Sequence, residues 1–313
     1  MKPDVLMIGP MLATAMAALE EAYTIHRYWE AEDRSALLAE VGPRIRAIAT
    51  DGHFGCPPEV MAACPGIEII ASFGVGYDNI DIPAAQARGI RVTTTPDVLN
   101  DAMAEITVGL MIALAHRLPQ ADAWMRQGQW VPGKSFGLTA ELTGKTAGIL
   151  GLGRIGKEIA ARLQAMKMRV VYHGRTRQAH QPYPYFADLE AMAREVDWLV
   201  VIAPGSAETN GIVSRAVLGA LGPEGMLVNV ARGTLIDEAA MVEMLADGSL
   251  GGAALDVFAR EPHVPPALLG LENVVLSPHQ GSATEKTRAA MGDLVVANLA
   301  AHFAGAPLIT PLA

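Results

Sequence analysis

Residues 146–177, TAGILGLGRIGKEIAARLQAMKMRVVYHGRTR, constrain the fold more than any other stretch of the chain. An apolar run over 147–150 leads into Gly151, Gly153 and Gly156, and then Ile155, Ile159, Leu163 and Met166 recur on one helical face. A second apolar run, 168–172, follows at the distance a parallel strand needs, so the unit reads strand, tight turn, helix, strand. Each glycine has a physical task. Gly151 permits the sharp exit from the strand, Gly153 has no Cβ to keep a pyrophosphate away from the backbone, and Gly156 lets the helix sit close to the sheet. The helix start offers N–H groups and the positive end of its dipole to phosphates. A structural glycine turn without a ligand would not require all three glycines and both strands. The stretch that faces a dinucleotide is therefore Gly151, Leu152, Gly153, Arg154, Ile155 and Gly156.

The residues after the second strand select the nucleotide. Where an NAD-binding domain carries Asp or Glu for the ribose 2′-hydroxyl, this chain has Gly174, Arg175, Thr176 and Arg177. The missing carboxylate removes repulsion of a 2′-phosphate, and two guanidiniums and a hydroxyl supply donors to one. NADPH is expected over NADH. The competing reading, two solvated turn arginines, does not account for the absent acid.

At 313 residues the chain is long enough for two domains. With 51% hydrophobic residues and 18% charged ones it can fill two cores. A net charge of −9, with no basic run, argues against a nucleic-acid partner. It also requires local arginines and N–H groups to capture an anionic substrate. Cys56 and Cys64 have no metal-ligand companions at useful spacing, so both are expected to be reduced and buried, with no metal site. The apolar start resembles a signal peptide, but Asp4 and Pro10 interrupt it, and a strand over 5–8, a turn and a helix explain it better. No stretch suggests a membrane span, and a cytoplasmic location is expected.

The first hundred residues alternate strands at 5–8, 24–28, 45–49, 67–71 and 91–93 with helices near 14–20, 33–41, 58–62 and 83–87. That alternation predicts a small, flavodoxin-like parallel sheet with helices on both faces. Directly after its fourth strand comes FGVGYDNID, where open α/β sheets place ligands. Val75 and Gly76 there could offer consecutive amides to a carboxylate, and an ordinary glycine-rich turn explains the loop equally well. One long helix is expected over 101–127, as a crossing between domains. Trp124, Trp130 and Phe136 lie on it or on the Gly- and Pro-rich arm that follows, where large aromatics suit a homodimer contact or the chain's own core.

The second domain continues with strands at 198–203, 226–230, 252–255 and 274–277 and helices near 189–194, 215–221 and 238–247. A C-terminal helix over 284–303 is expected to return to the first domain. The expected architecture is α/β, with two doubly wound parallel-sheet domains. Residues 1–99 plus 285–313 form the smaller, flavodoxin-like substrate domain, and residues 100–284 the Rossmann dinucleotide-binding domain. Two crossings would allow the domains to close over a ligand.

Three ionisable residues stand at strand ends of the second domain: Arg232 after LVNVA, Glu261 after LDVFAR and His279 after VVLSP. All belong to the carboxyl edge, where the nicotinamide of a bound dinucleotide lies. They suffice for carbonyl reduction: the arginine grips a carboxylate and polarises the ketone, the histidine delivers the proton, and the glutamate orients the imidazole. Ala203, Pro204 and Thr209, Val230 and Ala231, and Gly281 are counted with the cofactor-facing edge. Asp256 either contacts the nicotinamide carboxamide, the preferred reading, or caps the turn that follows it. The remaining histidines, His26, His53, His116, His173, His180, His263 and His302, lack this context. His53, with Phe54, stays open as a pocket-rim candidate.

In order along the chain, FGVGYDNID, TPDVLNDAMAE, GILGLGRIG, NVARGTLIDE, GGAALDVFAREP and SPHQGS resemble the signatures of the D-isomer-specific 2-hydroxyacid dehydrogenases. YHGRTR and the tail NLAAHFAGAPLITP are most similar to the NADPH-dependent glyoxylate/hydroxypyruvate reductases and plant-type hydroxyphenylpyruvate reductases. The resemblance implies Arg232 as the carboxylate-binding arginine, Glu261 as the histidine's partner and His279 as acid/base. It implies further that Val75 and Gly76 bind the substrate carboxylate, that Asn100 and Ser282 line the cleft, and that the protein is a dimer. Gln280 departs from the small or aliphatic residue common in relatives, which bears on pocket size. The expected reaction is reduction of glyoxylate or hydroxypyruvate to the D-2-hydroxy acid. The alternatives are an aromatic substrate, phenylpyruvate or hydroxyphenylpyruvate, and a non-catalytic cofactor-sensing corepressor, which the intact Arg232, Glu261 and His279 disfavour.

Overall fold

A computed structural model describes residues 2–312; Met1 and Ala313, the outermost residues of the expected domain ranges, lie outside the described residues. The chain divides into two compact units, one running to Leu99 and resuming at Ser282, the other Asn100–Gly281. The second border falls at 281/282, where the sequence suggests 284/285.

In the smaller unit, strands β1 (Asp4–Met7), β2 (Thr24–Arg27), β3 (Ile45–Asp51), β4 (Ile69–Phe73) and β5 (Arg91–Thr93) form one sheet in the order β2-β1-β3-β4-β5. Every pairing is parallel, and this is the flavodoxin-like order. Helices α1 (Ala13–Ala22), α2 (Arg34–Val41), α3 (Pro58–Ala63) and α4 (Ile82–Ala87) connect the strands. Asp33 and Asp81 cap α2 and α4 by accepting the Ala36 and Ala84 amides, both at 2.9 Å. The C-terminal helix, Glu285–Phe303, is capped by Thr284 and packs on α1 and β4. Gly292 permits its close approach, because a Cβ there would lie 2.9 Å from that of Ala15.

The larger unit opens with α5 (Asn100–Ala115) and α6 (Leu118–Arg126). This corrects the single helix expected over 101–127: the two axes differ by 61°. Arg117 adopts the left-handed conformation at the break, and Pro119, which has no N–H to continue the ladder, stands in the first turn of α6. The apolar periodicity of the sequence runs on across the break and conceals it. Among the described residues no single helix is long and apolar enough to cross a membrane.

Strands β6 (Thr146–Leu150), β7 (Arg169–His173), β8 (Tyr185–Phe186), β9 (Trp198–Val201), β10 (Met226–Asn229), β11 (Gly252–Leu255) and β12 (Val274–Leu276) then form a parallel sheet in the order β12-β11-β10-β9-β6-β7-β8. From β6 this is the Rossmann order with one further strand. The two-residue β8 has too short an apolar pattern to be seen in sequence. Helices α7 (Arg154–Ala165), α8 (Leu189–Arg194), α9 (Arg215–Leu221) and α10 (Glu238–Asp247) cover the sheet. Both faces are buried, so each strand divides its side chains between two cores: Leu199 and Val201 enter one, Trp198 and Val200 the other. This explains why the strands read as unbroken apolar runs.

Candidate active site

The glycine turn begins at the end of β6. Gly151 has φ +103°, and a Cβ on it would stand 2.7 Å from the Ala203 amide nitrogen. Gly156 is buried against the Gly151 carbonyl, so α7 packs directly on the turn. Gly153 differs: a Cβ there would meet no protein atom within 4 Å, so internal packing does not explain its lack of a side chain. Among the described residues no side-chain hydrogen bond caps α7 at Gly153. The turn thus fits a dinucleotide pyrophosphate on geometry as well as on motif. Arg154 and Ile155 begin the helix, and Leu152 buries its side chain in the sheet core.

Arg175, Thr176 and Arg177 are exposed beyond β7, and among the described residues neither arginine has a carboxylate partner. Gly174 leads into them, with open space where a Cβ would lie. Across the sheet, Ala203, Val230 and Ala231 are buried at the ends of β9 and β10. The Thr209 hydroxyl donates to the Pro204 carbonyl at 2.8 Å and so shapes the loop after β9.

Arg232, Glu261 and His279 follow β10, β11 and β12, three neighbouring strands of one sheet. His279 Nδ1 lies 2.6 Å from Glu261 Oε2, and Glu261 Oε1 accepts the Phe258 amide at 3.0 Å. With a carboxylate as acceptor, Nδ1 carries the hydrogen and Nε2 is left for a ligand. Arg232 is half-buried and donates to the Ala231 carbonyl at 2.7 Å. Its turn is clamped by buried Asn229, whose amide group donates to the Arg232 carbonyl at 2.8 Å and accepts from the Ala231 amide at 3.1 Å. Gly233 presses on the backbone of Phe258 and Ala259, leaving no room for a Cβ, which joins the arginine's turn to the glutamate's. Glu238, at the start of α10, accepts the Ala259 amide at 2.9 Å.

Asp256, expected to contact the cofactor, is fully buried and uses both carboxylate oxygens internally. Oδ1 accepts the Ser277 hydroxyl at 2.5 Å and the Gln280 amide at 2.9 Å, and Oδ2 accepts the Gly281 amide at 2.9 Å. It therefore shapes the loop that carries His279, which is a different loop from the following turn that its strand-end position suggests it caps. Gly281 is equally internal, since a Cβ on it would lie 2.7 Å from the Met103 sulfur and 2.9 Å from Asp256.

In the smaller unit, Val75 and Gly76 follow β4. Thr95, itself buried, accepts the Gly74 amide at 2.9 Å and donates its own amide to the Gly74 carbonyl at 2.8 Å. The Val75 and Gly76 amides have no acceptor among the described residues. On the same unit Arg288 is half-buried with its guanidinium 5.3 Å from the Phe73 ring centre, and burial pushes its pKa down against the pull of Asp51. Sequence reasoning missed this arginine because nothing distinguishes it from other charged positions of a long helix. Glu238 is silent in the sequence for a related reason: the Ala259 amide it holds lies 21 positions away and adjoins it only after folding, whereas the partners of Asn229 are two and three positions on, in a turn whose hydrogen bonds no periodicity marks. His53 and Phe54 are exposed in the turn after β3, their amides held by Asp51 Oδ1 at 2.9 and 2.8 Å. Ser282 and Asn100 stand partly exposed where their respective units resume and begin.

A family model described as "D-isomer specific 2-hydroxyacid dehydrogenase, NAD binding domain" matches residues 108–281. The chain is 44% identical over 308 residues to glyoxylate/hydroxypyruvate reductase A of Arabidopsis thaliana, covering 98% of each. It is also 44% identical over 308 residues to hydroxyphenylpyruvate reductase of Plectranthus scutellarioides, again covering 98% of each. Among solved structures, an NADPH-dependent glyoxylate/hydroxypyruvate reductase from Sinorhizobium meliloti, in complex with NADP and malonate, superimposes with a TM-score of 0.93 at 43% identity, covering 100% of this chain and 97% of that one.

Proposed function

Because the chain belongs to the D-isomer-specific 2-hydroxyacid dehydrogenase family, we propose that it reduces a small 2-oxo acid, glyoxylate or hydroxypyruvate, to the D-2-hydroxy acid with NADPH. The observation that carries this reading is the His279–Glu261 pair at 2.6 Å, beyond the ends of β12 and β11, with Arg232 after β10, the next strand of the same sheet. When bound, NADPH supplies a hydride from nicotinamide C4 to the keto carbon. His279 gives the proton from Nε2 to the ketone oxygen, while Glu261 at Nδ1 keeps the ring turned and stabilises the imidazolium. Arg232 grips the substrate carboxylate by charge-assisted hydrogen bonds, and in the smaller unit the Val75 and Gly76 amides are donors suited to a carboxylate. Positioning and a preset charge environment supply most of the acceleration. NADPH is favoured over NADH by Arg175 and Arg177 without a neighbouring acid, and the similar Sinorhizobium meliloti enzyme was crystallised with NADP.

The equal identity to a hydroxyphenylpyruvate reductase supports a second reading, with an aromatic 2-oxo acid as substrate. A screen of glyoxylate, hydroxypyruvate, phenylpyruvate and hydroxyphenylpyruvate, following NADPH absorbance, tests both. Turnover of the aromatic acids alone would overturn the first reading, and no oxidation with any of them would favour a cofactor sensor over an enzyme. We propose further that the protein is a cytoplasmic homodimer. Trp124 and Phe136 pair with each other, rings 5.9 Å apart, but Trp130 and Leu138 on the same arm are 67% and 99% exposed and suit burial against a second copy.

A further inference from the structure

The exposed triplet Arg175-Thr176-Arg177 is held by hydrogen bonds at its two ends. At the first, the Tyr185 hydroxyl donates to the Gly174 carbonyl at 3.1 Å. At the second, the Gln178 amide N–H donates to the Tyr172 hydroxyl at 2.7 Å. The two tyrosines support each other, with ring centres 5.3 Å apart, and Tyr172 is 1% exposed, so both anchors rest on the core of the sheet. The Gln178 side chain then reaches out of this segment, and its Nε2 donates to the Leu152 carbonyl at 2.7 Å. Leu152 lies between Gly151 and Gly153, within the pyrophosphate turn. One side chain thereby ties the two segments that would hold the two phosphate-bearing ends of the adenosine portion.

We propose that Gln178 is a positioning residue for cofactor discrimination: its side-chain amide locks the arginine-bearing segment to the glycine turn, so that a 2′-phosphate and a pyrophosphate are met at a fixed spacing. The proposal rests on the NADPH reading above. A guanidinium on a wandering backbone must be ordered at the moment of binding, and that entropy is subtracted from affinity; a segment already braced has lost it on folding. NADH has no 2′-phosphate and gains little from the brace. The chemistry of the nicotinamide end does not depend on it.

The test is Gln178→Met, which keeps the side chain's length and removes its donor, assayed beside the wild type with NADPH and NADH against one 2-oxo acid. Losing one hydrogen bond to a positioned group should raise KM and Kd for NADPH about five-fold, several times the change for NADH, with kcat little altered. Tyr172→Phe, which removes the acceptor of the Gln178 amide, should shift the ratio in the same direction and serves if the first variant does not fold. Equal losses with both cofactors, or no loss with either, would overturn the proposal. A wild-type preference for NADH would overturn the NADPH reading, and this inference with it, before any variant is compared.

Discussion

His279 has φ +50°, a backbone conformation that costs a side-chain-bearing residue energy, and it persists because its neighbours over-determine it. Its amide donates to the Asp256 carbonyl at 2.8 Å, while the next two amides are held by the Asp256 carboxylate. Asp256→Ala would strand a buried hydroxyl, the buried Gly281 amide and the part-buried Gln280 amide, so it should destabilise the protein by about 3 kcal/mol and lower kcat through the displaced histidine. Tm and initial rates measured together would expose an unstrained loop if neither falls. His279→Ala should lower kcat about a thousand-fold and leave NADPH binding nearly intact. Near-normal turnover in that variant would remove the histidine from the reaction. Elsewhere, burial first, then the nearby Cys64, pushes the Cys56 thiol up to about 12, and burial pushes Cys64 to about 11. Both thiols should therefore ignore a thiol-specific reagent until the protein is unfolded.

At the scale of elements, the turn after β10 and the turn after β11 behave as one piece, because Gly233 lies on the Phe258–Ala259 backbone and Glu238 holds the Ala259 amide. Gly233→Ala forces these turns apart. It should cost about 1–3 kcal/mol of stability and misplace Arg232 and Glu261 together, visible as a fall in kcat/KM larger than the fall in Tm would suggest. The C-terminal helix carries a pH-dependent anchor. Arginine only donates, so Arg91 must meet a bare His302 Nδ1, which puts the hydrogen on Nε2 facing Glu68 Oε2 at 2.9 Å. Burial first, with Arg91 and Arg46 adding to it against the pull of Glu68, lowers the His302 pKa below its ordinary value of 6.5. The unfolded chain therefore takes up this proton first, and stability should decline as pH falls below 6.5 toward the lower folded value. His302→Gln should flatten that part of a Tm-against-pH curve; an unchanged slope would assign it to other groups.

For the whole molecule, ligand binding and stability are linked, because whatever binds only the folded state stabilises it. NADP bound to the folded larger unit alone should stabilise it by about 2.7 kcal/mol at a hundred-fold excess over Kd, raising Tm in a concentration-dependent way. A Tm that ignores NADP would mean that the glycine turn is not a nucleotide site. Light scattering should give twice the 33.0 kDa chain mass, and Leu138→Asp together with Trp130→Ala should reduce it toward one. A monomeric wild type would leave the exposed arm without its proposed role.

The α/β class, the strand-turn-helix of the glycine motif and the three strand-end residues were legible in one dimension because they depend on local periodicity and on spacing along the chain. Runs such as WLVV and MLVN declare parallel strands buried on both faces, and the spacing of Gly151, Gly153 and Gly156 declares the turn. The bend between α5 and α6 was written in Pro119 but masked by an apolar pattern that continues past it. The occupation of Asp256, the clamps formed by Asn229 and Glu238, and the reach of Gln178 to Leu152 could be assigned only from coordinates. For Asp256, Glu238 and Gln178 the partner lies 21 to 26 positions away, and hydrogen bonds over such separations follow from how turns stack on the edge of a sheet, which no local pattern encodes; for Asn229 the partners are two and three positions on, in a turn whose side-chain bonds no periodicity marks.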